Sequence, residues 1–596
     1  MTLLPKLFPV PRKLEQKEGF LSLPKIWRYW ISDSNFEPAI QAFARLTRSP
    51  ISPDTFSLAT LKIEKAENFE PEAFRLLVKT DGINVFAGSA TGAFRALQCL
   101  KQLIPTDPKE GISHIEIEDS PVLRRRGFML DVSRCKVPTM ESLYSLIDLL
   151  CELRFNELQL YIEHTFAFAK HNEVWKDASP LTGQEIRELD QFCRERFIEL
   201  VPNLNSFGHF ERWLRHKNYK HLAECPDGFS RENPFMVRDH GTTLKPNQES
   251  LAFIDKLYEE YLPHFSSSNF NVGLDEPWEL GQGWSKPEVE RIGKDKVYLK
   301  HLEGIRKLVE KHGKQMQFWA DVLLEEPANA SLLPPTASPV IWGYEADHPF
   351  SEQAKAISSC NLPFCLAPGT ATWRSFSGRW PVAQANLLSA TENALRFDAS
   401  GILLTTWGDC GNHQPWPIFY PPLFYGAHLF WNGNEVRQSI LTSQIDKTLW
   451  PETPGLGEVI LRLGSLDNII GSAIPNQSLP WFTLFNSQPE KLAECLKTEF
   501  QSIRIDSGQD LLNEVETELT KVSPSSSLNL PGQEIKLGIQ MSRLGLELAD
   551  SLLNNRSPDF GDRRTRLETF EQIWLQRARP GGLRESLDLL AEAIDF

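Results

Sequence analysis

The chain has 596 residues, 41% hydrophobic and 24% charged, ordinary globular values that allow a large buried core. A net charge of −15 and a pI near 5.5 argue against nucleic acid or an anionic membrane as a main partner, and no run approaches the ~18 apolar residues of a membrane span. Nine cysteines without a CxxC pair suit scattered reduced thiols, and the opening MTLLPKLFPVPRKLEQKEGF lacks the apolar core of a signal peptide, so a cytoplasmic protein is expected.

Residues 1–118 read as a small α+β unit. FRLLVKTDGINVFAG (74–88) alternates as two strands around the turn Asp81-Gly82. SATGAFRALQCLKQLI (89–104) follows with apolar residues near i, i+3, i+4 and i+7, the stripe of an amphipathic helix. From Arg126 the pattern changes to strand-then-helix units. Eight strands are predicted: GFMLDV (127–132), ELQLYI (157–162), IELVPNL (198–204), FNVGLD (270–275), MQFWADV (316–322), PVIWGYE (339–345), FCLAPGT (364–370) and GILLTTWGD (401–409). Helical patterns separate them, among them 140–153, 183–197, 296–313 and 381–397. The alternation predicts an α/β fold, a closed (β/α)8 TIM-type barrel over 119–435; a doubly wound open sheet is disfavoured because no Gly-rich phosphate turn follows a strand. Residues 436–596 form a helical region, with helices over 490–503, 509–522, 533–555 and 563–578 and a linker SPSSSLNLPG at 523–532. In it, Arg579-Pro580-Gly581-Gly582 breaks the pattern, either as a helix corner or as a turn reaching the rim of a barrel in its own chain or a partner copy.

In such a barrel the chemistry sits on the loops that follow the strands. Those loops carry Arg134, Glu163-His164, His209, Asp275-Glu276, Asp321, Tyr344-Glu345, Trp373 and Asp409, more polar and aromatic side chains than a structural barrel needs. The pair Asp275-Glu276 ends an apolar run inside NVGLDEPWELGQGWS (271–285). A helix N-cap followed by an acidic first turn would explain two adjacent carboxylates without chemistry; their company at the strand ends favours a site. Sixteen tryptophans suit sugar faces as well as cores. No HExxH occurs, and His209, His216 and His221 do not close a metal site, so neither metal nor cofactor is expected.

Six segments carry a resemblance. RRRGFMLDVSR (124–134), VPNLNSFGH (201–209), NVGLDEP, FWADVL (318–323) and TTWGD (405–409) resemble, in order and spacing, the strand motifs of glycoside hydrolase family 20, the β-N-acetylhexosaminidases. ATGAFRALQCLKQLI resembles the end of the zincin-like domain that precedes the barrel in that family, so the likeness covers roughly residues 1–430. It implies an exo-acting retaining hydrolase that removes terminal β-linked N-acetylhexosamine (GlcNAc or GalNAc) through an oxazolinium formed by the substrate's own acetamido group, the exception to the two-carboxylate scheme. It further implies Glu276 as general acid and then base, and Asp275 as the group holding the acetamido N–H. Arg134 would bind the 3- and 4-hydroxyls, Asp409 the 4- or 6-hydroxyl, and His209 would support Glu276. Trp319, Trp342 and Trp407 would wall the pocket, with Glu163, His164, Asp321, Tyr344 and Trp373 completing the substrate-binding set. A carboxylate beside Glu276 is expected to raise its pKa.

Three departures from the family pattern bear on the choice of hexosamine. Glu163-His164-Thr165 stands where an acidic pair is usual, and Asn203 and Asn205 stand where the third-strand motif is acidic. A tyrosine after strand seven is missing from LAPGTATWRSF (366–376), leaving Thr370 or Trp373 to substitute. Two other readings stay open: a conventional retaining glycosidase for a non-acetamido sugar with Glu345 as nucleophile, and a catalytically inactive carbohydrate-binding protein. The partner expected is a small β-N-acetylhexosaminide, with a homodimer open.

Overall fold

The computed structural model describes residues 7–107, 109–232, 235–486, 488–500, 502–523, 529–558 and 561–594; residues 524–528 of the expected linker lie outside them. The N-terminal layer is one mixed sheet. Its strands are β1 (Lys13–Leu21), β2 (Trp27–Ile31), β3 (Ile51–Pro53), β4 (Leu61–Lys65), β5 (Phe74–Lys79), β6 (Gly82–Ala87) and β7 (Ile112–Asp119), in the order β1-β7-β5-β6-β4-β2-β3. β5 and β6 are the expected hairpin, in register from Phe74↔Ala87 to Lys79↔Gly82. The amphipathic helix is Ala90–Leu103, started by Ser89, whose hydroxyl accepts from the N–H groups of Thr91 and Gly92. One face covers the sheet and the other meets the next unit, where Phe94 stacks on Phe197 at 4.6 Å. Beside it Glu72 takes Arg95 and Arg126, each at 2.7 Å, so a half-buried carboxylate ties the first sheet to the first strand of the second.

The second sheet is parallel throughout. Its strands are β8 (Arg125–Asp131), β9 (Glu157–Tyr161), β10 (Glu199–Val201), β13 (Asn269–Asn271), β14 (Gln315–Trp319), β15 (Ala337–Trp342), β16 (Cys365–Ala367) and β17 (Gly401–Thr406). They run in the order β10-β9-β8-β17-β16-β15-β14-β13, and a parallel bridge from Asn203 to Asn271 joins the last to the first, closing a (β/α)8 barrel. All eight expected strands are there, each ending sooner than its apolar run. The fourth shows why: β13 stops at Asn271 because Gly273 (φ 71°) and Leu274 (φ 75°) turn left-handed, which no strand ladder can follow. A short hairpin, β11 (Phe229–Glu232) with β12 (Phe235–Arg238), lies between β10 and β13; four-residue strands are too short for a periodic signal.

The third layer is helical. The four expected helices are Pro489–Thr498, Ile505–Val522, Leu530–Leu553 and Arg563–Arg577. Helix Tyr420–Asn432 escaped the sequence reading because nearly every side chain in it is buried, so it has no polar stripe. The break after Arg577 docks on the barrel of its own chain. The Arg579 N–H donates to Val137 O at 2.8 Å, and Thr139 N–H donates to Arg577 O at 3.0 Å. Gly582 (φ 75°) packs so closely that a Cβ would lie 1.9 Å from Cys135 O, leaving no room for any side chain. His413 Nε2 and Ser586 O meet at 2.9 Å, linking the last helix to the loop after β17. These contacts all fall on loops that follow barrel strands, so the helical region sits on the barrel's C-terminal face. Among the described residues, no helix is long and apolar enough to cross a membrane.

Candidate active site

Where those loops converge, an open pocket is lined by Arg134, His209, Asp275, Glu276, Trp319, Trp342, Tyr344, Trp373, Trp407, Asp409 and Asn476. Ten of these are residues singled out from the sequence; Asn476 is not.

Local backbone geometry sets the carboxylate pair. After β13 the chain passes through Gly273, Leu274 and then Glu276 (φ 47°), three left-handed residues in four. A Cβ on Gly273 would lie 2.0 Å from Asn205 Oδ1, and one on Gly208 would lie 2.3 Å from Asp275 O, so both glycines permit contact between the third and fourth loops. Asp321 Oδ2 accepts the Glu276 N–H at 3.0 Å and holds the strained residue in place. Downstream, Glu279 accepts the N–H and hydroxyl of both Thr242 and Thr243 at 2.6–2.9 Å. The third carboxylate of the DEPWE stretch is therefore a structural anchor.

The electrostatics separate the pair. His209 Nε2 lies 3.1 Å from Asp275 Oδ2 and 3.5 Å from Glu276 Oε2. Burial pulls the His209 pKa down, but the charge and hydrogen bond of Asp275 outweigh it and raise it to about 10. Glu276 is raised above the usual carboxylate range, chiefly by burial, with His209 opposing and Asp275 and Asp409 adding. The neighbouring carboxylate thus acts in the expected direction but is not the main cause. One ligand atom from each of His209, Asp275 and Glu276 lies within 4.8 Å of the others, a spacing that would accept a divalent cation. The elevated His209 pKa works against that use, because an imidazolium has no lone pair to give.

Arg134 bonds Asp131 Oδ2 at 3.1 Å and Glu163 Oε1 at 3.2 Å, and its guanidinium lies over the Tyr161 ring (4.6 Å) and the Trp407 ring (5.1 Å). Asp131 also accepts the N–H of Ser133 and, across the barrel seam, of Gly408 at 3.0 Å. The aromatic wall is continuous. Trp342 stacks on Tyr344 at 5.3 Å, Tyr344 meets Trp373 edge-on at 5.0 Å, and Trp319 lies 6.0 Å from Trp407. The indole N–H groups of Trp319, Trp342 and Trp407, together with Asp275 Oδ1 and Asn476 Oδ1, are buried without a hydrogen-bond partner among the described residues.

Three of the expected substrate-binding residues lie outside the lining. Glu163 is buried outside the lining, bonded to Arg134 and to the Tyr161 hydroxyl at 2.9 Å, where it orients the arginine. His164 is buried outside the cavity, and burial with Arg212 and Arg215 nearby pushes its pKa well down. Asp321 supports the Glu276 backbone from behind. Of the two substitutes for the missing tyrosine, Trp373 lines the cavity, whereas Thr370 is turned into a bond with Thr372 at 2.8 Å. Glu345 also lies outside the lining. Its oxygens take the Arg379 guanidinium at 3.0–3.1 Å and the Asn476 N–H at 2.8 Å. Sequence reasoning missed Asp131, Tyr161 and Asn476. The first two stand beside residues it selected, but nothing in the sequence brings Asn476 to the barrel.

Comparison with known proteins agrees with this geometry. Residues 124–379 match the family model described as glycosyl hydrolase family 20, catalytic domain, and residues 4–120 match glycosyl hydrolase family 20, domain 2; together they cover more than half of the chain. A β-hexosaminidase of Porphyromonas gingivalis is 24% identical over 338 residues, 52% of this chain and 41% of that protein. The chain spans about half the length of the curated relatives it matches. In fold, the Flavobacterium johnsoniae chitobiase aligns over 98% of both chains with a TM-score of 0.61 at 19% identity. A Vibrio harveyi exo-β-N-acetylglucosaminidase crystallised with N-acetylglucosamine aligns over 73% of this chain and 75% of its own, with a TM-score of 0.61 at 18% identity.

Proposed function

The chain belongs to glycosyl hydrolase family 20, and from that membership we propose that it is an exo-acting retaining hydrolase of terminal β-linked N-acetylhexosamine. The observation that carries the reading is the Asp275-Glu276 pair at the barrel mouth, with Glu276 held above the usual carboxylate range. A raised pKa favours the protonated form that Glu276 needs for its first task, donation to the glycosidic oxygen as the C1–O bond breaks. The acetamido oxygen attacks C1 as the leaving group departs, giving an oxazolinium. Asp275 accepts the acetamido N–H and balances the positive charge that spreads over the ring. Glu276, now a carboxylate, takes a proton from water as that water attacks C1, the oxazoline reopens, and the β-configuration is retained.

The supporting groups follow from the same chemistry. His209, as a cation through neutral pH, orients Asp275 and lowers the cost of a charged Glu276. Arg134, fixed by Asp131 and Glu163, would hold ring hydroxyls, as would Asp409. The faces of Trp319, Trp342, Trp373 and Trp407, with Tyr344, suit a sugar ring and an acetamido methyl. Glu345, neutralised by Arg379 and turned from the cavity, is a poor candidate for an enzyme nucleophile, which weighs against a conventional retaining glycosidase.

The proposal divides the chain at 1–118, 119–435 and 436–596. A cytoplasmic location goes with it, supported by nine free cysteines, most of them buried. Hydrolysis of chromogenic β-GlcNAc and β-GalNAc beside plain β-glucoside and β-galactoside tests the reading. Turnover of the acetamido sugars alone supports it, and turnover of the plain sugars at equal rate overturns it.

A further inference from the structure

Between helices Leu466–Ile470 and Leu479–Leu484 the C-terminal helical region sends residues 471–478 back to the barrel mouth. The segment is clipped at both ends and in the middle. Asp467 Oδ1 accepts the Ser472 hydroxyl at 2.8 Å and the Leu479 N–H at 2.9 Å, pinching its base. Arg374, from the loop after β16, donates to Gln477 Oε1 at 2.6 Å and accepts the Ser478 N–H on its carbonyl at 3.0 Å. Glu345, itself clamped by Arg379, accepts the Asn476 N–H.

Held this way, Asn476 is left-handed (φ 58°), a conformation asparagine tolerates better than most residues. Its Oδ1 is buried in the cavity lining with no partner among the described residues. Leaving a buried amide oxygen unpaired is costly, so a segment tied down at this many points needs a reason to present one. The other unpartnered atoms of the lining are three indole donors and Asp275 Oδ1. The indoles match oxygen acceptors, and Asp275 is committed to the acetamido N–H. What a hexosamine offers beyond these is its hydroxyl groups, which are O–H donors.

We propose that Asn476 is a substrate-binding residue supplied by the helical region, its Oδ1 accepting a hydrogen bond from one hydroxyl of the bound N-acetylhexosamine. Glu345 is its positioning residue, acting through the Asn476 backbone. The inference rests on the reading of the cavity as an N-acetylhexosamine site.

Asn476→Gly is the informative variant, because glycine accepts the left-handed backbone and deletes only the side chain. Binding of GlcNAc, and of its 3-, 4- and 6-deoxy forms, is followed by quenching of the four cavity tryptophans, alongside kcat and KM on a chromogenic β-GlcNAc. The expected result is about tenfold weaker GlcNAc binding and higher KM in Asn476→Gly, with an unchanged melting temperature. One deoxy sugar should bind wild type and variant equally, since the bond is missing from both. Glu345→Gln should raise KM in the same direction while leaving selectivity among the deoxy sugars in place. Wild-type GlcNAc affinity in Asn476→Gly, or an equal loss for all deoxy forms, overturns the inference while the wild-type enzyme still hydrolyses the substrate. If the wild type neither binds GlcNAc nor cleaves its glycosides, the reading of the site falls and this inference with it.

Discussion

His209 Nε2 donates to Asp275 Oδ2 at 3.1 Å, so the imidazole expected to support Glu276 bonds the carboxylate next to it in the chain. It reaches Glu276 mainly through its charge, from 3.5 Å. The charged and titratable groups that act most on Glu276 are His209, Asp275, Asp409 and Arg134, with Asp321 against its backbone. His209 and Arg134 hold its pKa down, while burial, Asp275 and Asp409 lift it.

His209→Gln should therefore raise the Glu276 pKa further. The basic limb of kcat/KM, where the general acid loses its proton, should move to higher pH, with kcat lower by about tenfold from the loosened Asp275. A pH–rate profile on a chromogenic β-GlcNAc reads both. A basic limb that stays put or moves to lower pH contradicts the electrostatic assignment.

Glu276→Gln should keep the fold and lose about 10²–10⁴-fold in kcat on glycosides with poor leaving groups. The loss should shrink with nitrophenyl-type leaving groups, which need little protonation to depart. An equal loss across leaving groups would point to a structural role for Glu276.

Stability should depend on Glu72. Burial alone would raise its pKa, yet the Arg126 and Arg95 guanidiniums overrule it and hold the carboxyl at about 2. A depressed folded pKa gives stability that is present above the unfolded value near 4.5 and lost as pH falls from there toward 2. Glu72→Gln should cost about 3 kcal/mol at neutral pH, leaving two buried guanidiniums without their anion. The gap in melting temperature between wild type and variant should close as pH drops below about 4.5. A gap that is constant from pH 7 to pH 3 would show that the loss is not electrostatic.

The barrel was legible because each of its strands is buried on both faces and bounded by a helical pattern, which leaves eight apolar runs that periodicity can count. Strand ends were read too long where a left-handed turn follows immediately, as at Gly273 and Leu274; a dihedral sign leaves no trace in hydrophobicity. The cavity was legible for a related reason. A polar or aromatic residue at a strand end is conspicuous beside Val and Leu, and ten of the eleven lining residues are of that kind. What could not be read is depth and long-range return. Asp321 shares a strand end with the lining residue Trp319, and Glu163 and His164 follow a strand that sends nothing into the lining, yet all three looked alike in the sequence. Asn476 lies 131 positions from the Glu345 that anchors it, and no local pattern records that contact.

The central claim is that the substrate's acetamido oxygen, not a protein side chain, attacks the anomeric carbon. Inhibition by a GlcNAc-thiazoline, a stable mimic of the bicyclic intermediate, tests it most directly. If the claim holds, the thiazoline should bind at least about 10²-fold more tightly than GlcNAc, as species resembling a transition state do, and mass spectrometry after a 2-fluoro glycoside should find no sugar on the protein. Thiazoline binding no tighter than GlcNAc, together with a trapped covalent glycosyl group, would contradict it.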